Sequence, residues 1–78
     1  MKDTDLDGLN RELQTLIQYR IEDIRADLRA AIGRTSGLVN HSALTVGDSA
    51  ALIEVRRLMS DVEKRLEALQ IERARRHL

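Results

Sequence analysis

A chain of 78 residues is long enough for one small domain and too short to bury a large core. It contains no cysteine, which excludes disulfides and thiolate metal sites. Thirteen basic residues balance thirteen acidic ones, so the protein lacks the overall positive charge that a general nucleic-acid binder needs.

The apolar residues are mainly Leu, Ile, Val and Ala, with Tyr19 as the single aromatic residue and no proline. Because they recur at helical spacing, the sequence predicts an all-α fold. We expect one domain over residues 1–78, an antiparallel two-helix hairpin that resembles a coiled coil. It would stand alone or assemble into a helical bundle.

The first helix is predicted over about residues 5–32. Acidic residues near its start suit the positive end of the helix dipole, and Gly33 is placed where a C-terminal cap would lie. Asp3, Asp5 and Asp7 also match the first ligand positions of an EF-hand calcium loop, but Gln14 stands where a bidentate Glu is required. The dipole interpretation is therefore favoured, and cation binding by these aspartates is left open.

The apolar residues of helix 1 follow one another mostly at steps of three or four. They are Leu6, Leu9, Leu13, Leu16, Ile17, Ile21, Ile24, Leu28 and Ile32. At about 100° per residue they spread over roughly 160°, which is wider than a seam with one partner helix needs. Part of this stripe is therefore expected to remain uncovered in a lone hairpin.

A long, partly apolar loop is predicted over about residues 33–47, and it contains Leu38, Val39 and Leu44. Helical hairpins usually use two to eight loop residues. Three interpretations stay open: the segment contains an extra helical turn, folds back on the hairpin, or docks into a partner.

The second helix is predicted over about residues 48–76. Thr45 and Asp48 have the spacing of a capping box at its start, with Asp in place of the usual Glu, and Asp48 or Ser49 could serve as the cap instead. Ala51 and Leu58 widen its apolar stripe on one side. The other apolar residues of the stripe alternate three and four apart in a heptad pattern that predicts one continuous seam. These residues are Leu52, Val55, Met59, Val62, Leu66 and Leu69.

Opposite charges at the two ends of the chain favour antiparallel pairing. The N-terminal segment is rich in Asp, and the C-terminal segment carries Arg73, Arg75 and Arg76. In a closed hairpin these segments lie side by side, although exposed pairs contribute only about 0–1 kcal/mol each. The arginines could also contact phosphates, but no aromatic residue stands nearby to stack on bases.

Nothing in the sequence indicates an enzyme or a cofactor. Its histidines, His41 and His77, do not form a recognisable catalytic set with a nucleophile. No apolar run approaches the roughly 18 residues that cross a bilayer, and the N-terminus lacks an apolar signal core. The expected location is therefore the cytoplasm, without a membrane partner.

We expect a non-enzymatic module that binds a protein partner, or a second copy of itself, through apolar helical surface. Suitable roles are a small adaptor, a co-chaperone or assembly factor, or an inhibitor. The alternative is a homodimeric four-helix-bundle regulator that contacts nucleic acid through its Arg-rich helix ends. The residues expected at the binding surface are Leu9, Leu16, Tyr19, Arg20, Leu38, Val39 and Leu44.

Overall fold

Two long helices pack against each other in a computed structural model, which describes residues 2–76 and side chains from Leu6 onward. Helix α1 spans Lys2–Leu38 and helix α2 spans Val46–Arg76. Together they form a rod with extents of 65 × 16 × 13 Å. The predicted all-α antiparallel hairpin is confirmed.

Contacts between the two helices follow an antiparallel register along the whole rod. At the turn, Ser49 Oγ donates to the Val39 carbonyl at 2.9 Å. In the middle, Arg25 Nε donates to Glu63 Oε1 at 2.8 Å, and towards the open end Gln18 Nε2 donates to the Gln70 carbonyl at 3.2 Å. Each step down α1 is thus matched by a step up α2.

Helix α1 extends further than predicted at both ends. Its backbone is helical from Lys2, so residues 3–8 do not form a calcium loop; the side chains of Asp3 and Asp5 lie outside the described part. The prediction that Gly33 ends the helix was wrong, because Gly33 and Gly37 both lie within it and neither has a positive φ. Ile32, half-buried Thr35 and buried Val39 carry the seam spacing past Gly33, and this packing outweighs the cost of helical glycine, about 1 kcal/mol.

The connection between the helices is short. Seven residues, 39–45, separate α1 from α2, so the prediction of a long loop over 33–47 was wrong. The Val39 amide donates to the Thr35 carbonyl at 3.1 Å, and the His41 amide donates to the Leu38 carbonyl at 2.9 Å. Of the three interpretations, additional helix describes most of the segment, because residues 33–38 belong to α1 and residues 46–47 belong to α2.

A reciprocal capping box begins α2, as the Thr45 and Asp48 spacing predicted. The Asp48 amide donates to Thr45 Oγ1 at 3.0 Å, and the Thr45 amide donates to Asp48 Oδ2 at 3.2 Å. Two amides that lack partners within the helix are thereby satisfied. The box fixes the start of α2 two residues before the predicted start.

Only half of the predicted α2 seam faces α1. Leu52, Met59 and Leu66 are half-buried, whereas Val55, Val62 and Leu69 are exposed. The prediction of one continuous apolar seam was therefore wrong. The helix is rotated so that a polar row, Arg56, Glu63 and Gln70, enters the contact instead.

Within the described residues, neither helix has a stretch that is both long enough and apolar enough to cross a bilayer.

We predict that Gly33→Ala and Gly37→Ala each stabilise the protein by about 0.5–1 kcal/mol, because alanine loses less entropy in a helix. A Cβ at either position meets no atom within 4 Å. Urea unfolding followed by circular dichroism measures the change. If alanine destabilises the protein at either position, the helix ends there in solution, since a left-handed cap would strain alanine.

Candidate protein-binding surface

One flank of the hairpin is held together by ions and amides. Arg25 and Glu63 face each other with side chains only 15% and 14% exposed. The Arg25 guanidinium also lies 3.3 Å from Glu67, and Arg29 bridges Glu63 at 3.2 Å and Glu22 at 3.0 Å. We call this side the polar flank. Because its charges come from both helices, it fixes their register and orientation.

Amides and one arginine close the open end of the hairpin. The side chains of Gln18 and Gln70 donate to each other's backbone carbonyls at 3.2 and 3.3 Å. Arg73 donates to Gln18 Oε1 at 3.0 Å and also to Gln14 Oε1. Arg73 therefore pairs with neutral glutamines and not with the N-terminal aspartates, and among the described side chains no ion pair joins the two ends of the chain.

Ion pairing shifts the pKa of exposed glutamates. The hydrogen bond from Arg29 lowers the pKa of Glu22, and the hydrogen bond from Arg57 lowers the pKa of Glu54. The same bonds raise the pKa of Arg29 and of Arg57. Both glutamates therefore stay ionised further into acid than a free carboxyl group would.

The opposite flank of the hairpin is apolar. Ile17 and Ile24 stand four before and three after the buried Ile21, and this spacing puts them on the side away from Gln18 and Arg25. The same spacing about Met59 separates Val55 and Val62 from the polar row of α2. Because the two polar rows meet on one flank of an antiparallel pair, the two apolar rows meet on the other.

This second flank, which we call the apolar face, exposes aliphatic side chains along both helices. Its members are Leu13, Ile17 and Ile24 of α1 and Val55, Val62 and Leu69 of α2, each 40–51% exposed. By contrast, only Ile21 and Val39 are buried among the apolar side chains that the structure describes. Six aliphatic side chains thus lie partly exposed on this face, whereas two are buried.

Three of the predicted binding residues border the apolar face. Leu9 is 55% exposed and Leu16 is 50% exposed, and Arg20 is also exposed. Helical spacing puts all three along the outer edge of the α1 half of the face. The uncovered α1 stripe that the sequence predicted is therefore present.

The other predicted residues are dispersed. Tyr19 is 67% exposed, but helical spacing from Ile21 directs it away from α2 and from the apolar face. Leu38 is 43% exposed at the end of α1. Val39 is buried and Leu44 is half-buried in the turn, so these two offer little surface to a partner.

Sequence reasoning missed the α2 half of the face, because it assigned Val55, Val62 and Leu69 to the hairpin seam. The available signal was the polar row Arg56, Glu63 and Gln70, which also repeats every seven residues. Across the hairpin, Glu63 pairs with Arg25 and Arg56 donates to Ser36 Oγ. With an apolar and a polar row both repeating every seven residues, either row could lie in the contact with α1.

No protein-family model matches the chain, and no curated protein or solved structure is significantly similar to it. Among the described residues, no three His, Asp or Glu side chains are grouped to hold a metal ion.

We predict that acid weakens the hairpin as Glu22 and Glu54 protonate. Their folded pKa values lie below the ordinary value of about 4.3, so the contribution is complete above that pH and is lost as pH falls through the folded values. The variant Glu22→Gln with Glu54→Gln should therefore show a shallower fall in melting temperature between about pH 5 and pH 2. An unchanged acid slope would mean that these pairs do not form in solution.

Proposed function

We propose that the protein is a non-enzymatic protein-binding module and that its apolar face is the binding surface. The observation that carries the proposal is the concentration of exposed aliphatic side chains on one flank of both helices, opposite a flank closed by ion pairs. Contiguous exposed apolar surface of this kind marks interaction sites, including those for protein partners.

The shape of the face suits a helical partner. Its two rows run along the rod on either side of the shallow groove where α1 and α2 meet, at steps of seven residues on α2 and of four and seven on α1. An amphipathic helix or helix pair can lay its own apolar side chains into such a groove. An adaptor, an assembly factor and an inhibitor that covers another protein's surface can all use this mode of binding.

Direct contact with nucleic acid through the helix ends is the weaker candidate. Arg73 is used within the hairpin, where it donates to Gln14 and Gln18. Thirteen acidic residues balance the basic ones over the whole chain, so no excess of charge supports phosphate binding.

We predict that Ile24→Asp with Val62→Asp abolishes protein binding, because each carboxylate would have to be desolvated in the interface. The chain supplies a matched control in Ile53 and Ile71. These are 45% and 50% exposed, against 50% for Ile24 and 46% for Val62, and they lie on α2 away from the apolar face. Ile53→Asp with Ile71→Asp should therefore leave binding within about two-fold of wild type.

The measurement is affinity capture from the native host with each bait, read by quantitative mass spectrometry and including capture of an untagged copy of the chain. Circular dichroism of each bait verifies helicity, and Ile24→Thr with Val62→Thr gives a milder change if the Asp variant unfolds. Proteins retained equally by the face variants and the control variant would place the binding surface elsewhere.

A further inference from the structure

We infer that the occupant of the apolar face is a second copy of this chain, lying face to face with its turn at the opposite end of the rod. Two hairpins then form an antiparallel four-helix bundle. This inference rests on the proposed function of the face as a protein-binding surface, and it names the partner.

A single copy of the chain exposes more surface than its mass predicts. The single chain exposes 6243 Å² at a mass of 8.9 kDa, whereas a folded monomer of that mass exposes about 4,800 Å². The excess is therefore about 1,400 Å² per chain. A standard interface removes about 800 Å² from each partner, and obligate homodimers remove more. Pairing two copies would bring the surface into the ordinary range.

The two flanks of the seam between α1 and α2 differ in polarity. In a two-stranded coiled coil, both flanks of the apolar seam carry charged residues. Here one flank carries the Arg25–Glu63 ion pair, while the other carries Ile17, Ile24 and Val62. One charged flank and one apolar flank describe a helix pair within a four-helix bundle, where the apolar side continues into the bundle core.

Both ends of the rod carry exposed apolar side chains that an antiparallel copy would cover. Gln14 lies opposite Arg73, so the antiparallel register puts Arg76 near residue 11, and the first ten or so residues of α1 continue beyond it. Leu6 and Leu9 on this segment are 63% and 55% exposed. The turn end is also apolar and exposed, at Leu38 and Val46. An antiparallel copy brings each segment alongside the other copy's turn end.

Two opposite charges beside the apolar face also favour the antiparallel arrangement. Arg20 and Asp27 are both exposed, stand seven residues apart, and lie on the same outer edge of the apolar face. A two-fold axis beside Ile24 puts Arg20 of one copy at the level of Asp27 of the other, twice over. Such rim pairs select orientation more than they supply affinity.

Sedimentation equilibrium of the wild-type chain tests the partner. We expect a dimer at micromolar concentration, with a melting temperature that rises with protein concentration. The Ile24→Asp, Val62→Asp variant should dissociate at least 100-fold more readily than the Ile53→Asp, Ile71→Asp control. A wild-type chain that stays monomeric at every concentration up to about 1 mM would overturn the second copy as partner.

Charge exchange tests the orientation. Arg20→Asp alone should weaken the dimer by about 3- to 10-fold, because it puts two aspartates together. Adding Asp27→Arg to the same chain should restore the wild-type dissociation constant. If the double exchange is no better than the single change, the two residues do not meet and the antiparallel arrangement is wrong.

Distances between copies provide a test that needs no destabilising change. Since the chain has no cysteine, Ser42→Cys in the turn gives a unique spin-label site. Turns at opposite ends predict a label separation of about 50 Å by pulsed electron paramagnetic resonance. Turns at the same end predict roughly 25 Å or less, which would contradict the antiparallel arrangement.

The results also separate this inference from the proposed function. A monomeric wild-type chain whose face variants lose a captured protein would overturn the second copy and leave the face as a binding surface for that other protein. A dimer that is as tight in the face variants as in the control would overturn the second copy as the occupant of the face. The proposed function would fall as well only if the face variants also retained every captured protein as the control does.

Discussion

Two helices share one line of contact, and the rest of this structure depends on that constraint. Each helix carries an apolar stripe broader than a single line can cover. The hairpin takes one edge of each stripe, including Ile21, Leu28 and Met59, together with the charged row beside it. The other edge of each stripe stays outside. The molecule therefore has a closed flank and an open one, and the difference arises from the spacing of residues along the helices.

The polar flank specifies the register of the two helices more than it stabilises the hairpin. Partly buried ion pairs such as Arg25–Glu63 recover little beyond their desolvation cost, but a shift of register would separate them. The amides of Gln18 and Gln70 add a second condition, because each reaches the backbone of the opposite helix. Stability must then come from apolar burial, of which the single chain has little. In the proposed dimer, the polar flank specifies the register of each hairpin, and the apolar face supplies stability between the two copies.

The sequence predicts the helices well and their rotation poorly. Periodicity is enough to predict two antiparallel helices, and the Thr45–Asp48 capping box was identified from spacing alone. Gly33 misled the prediction of α1 because local propensity favours an end there, while Thr35 and Val39 sustain the helix through packing with α2. The α1 half of the apolar face was predicted because its stripe was visibly too wide. The α2 half was missed because Val55, Val62 and Leu69 fit a perfect seam. Only the partners of Glu63 and Gln70 on α1 show which row of α2 faces inward.

The most direct test is the accessibility of individual methyl groups to a soluble paramagnetic agent, measured by NMR on the wild-type protein at submillimolar concentration. In the isolated hairpin, Ile24 and Ile71 are equally exposed, at 50% each. If the apolar face is covered in solution, the methyls of Ile24, Val55 and Val62 should relax several-fold more slowly than those of Ile53 and Ile71. Equal relaxation enhancement at the two sets would contradict the account, because the face would then be open to water.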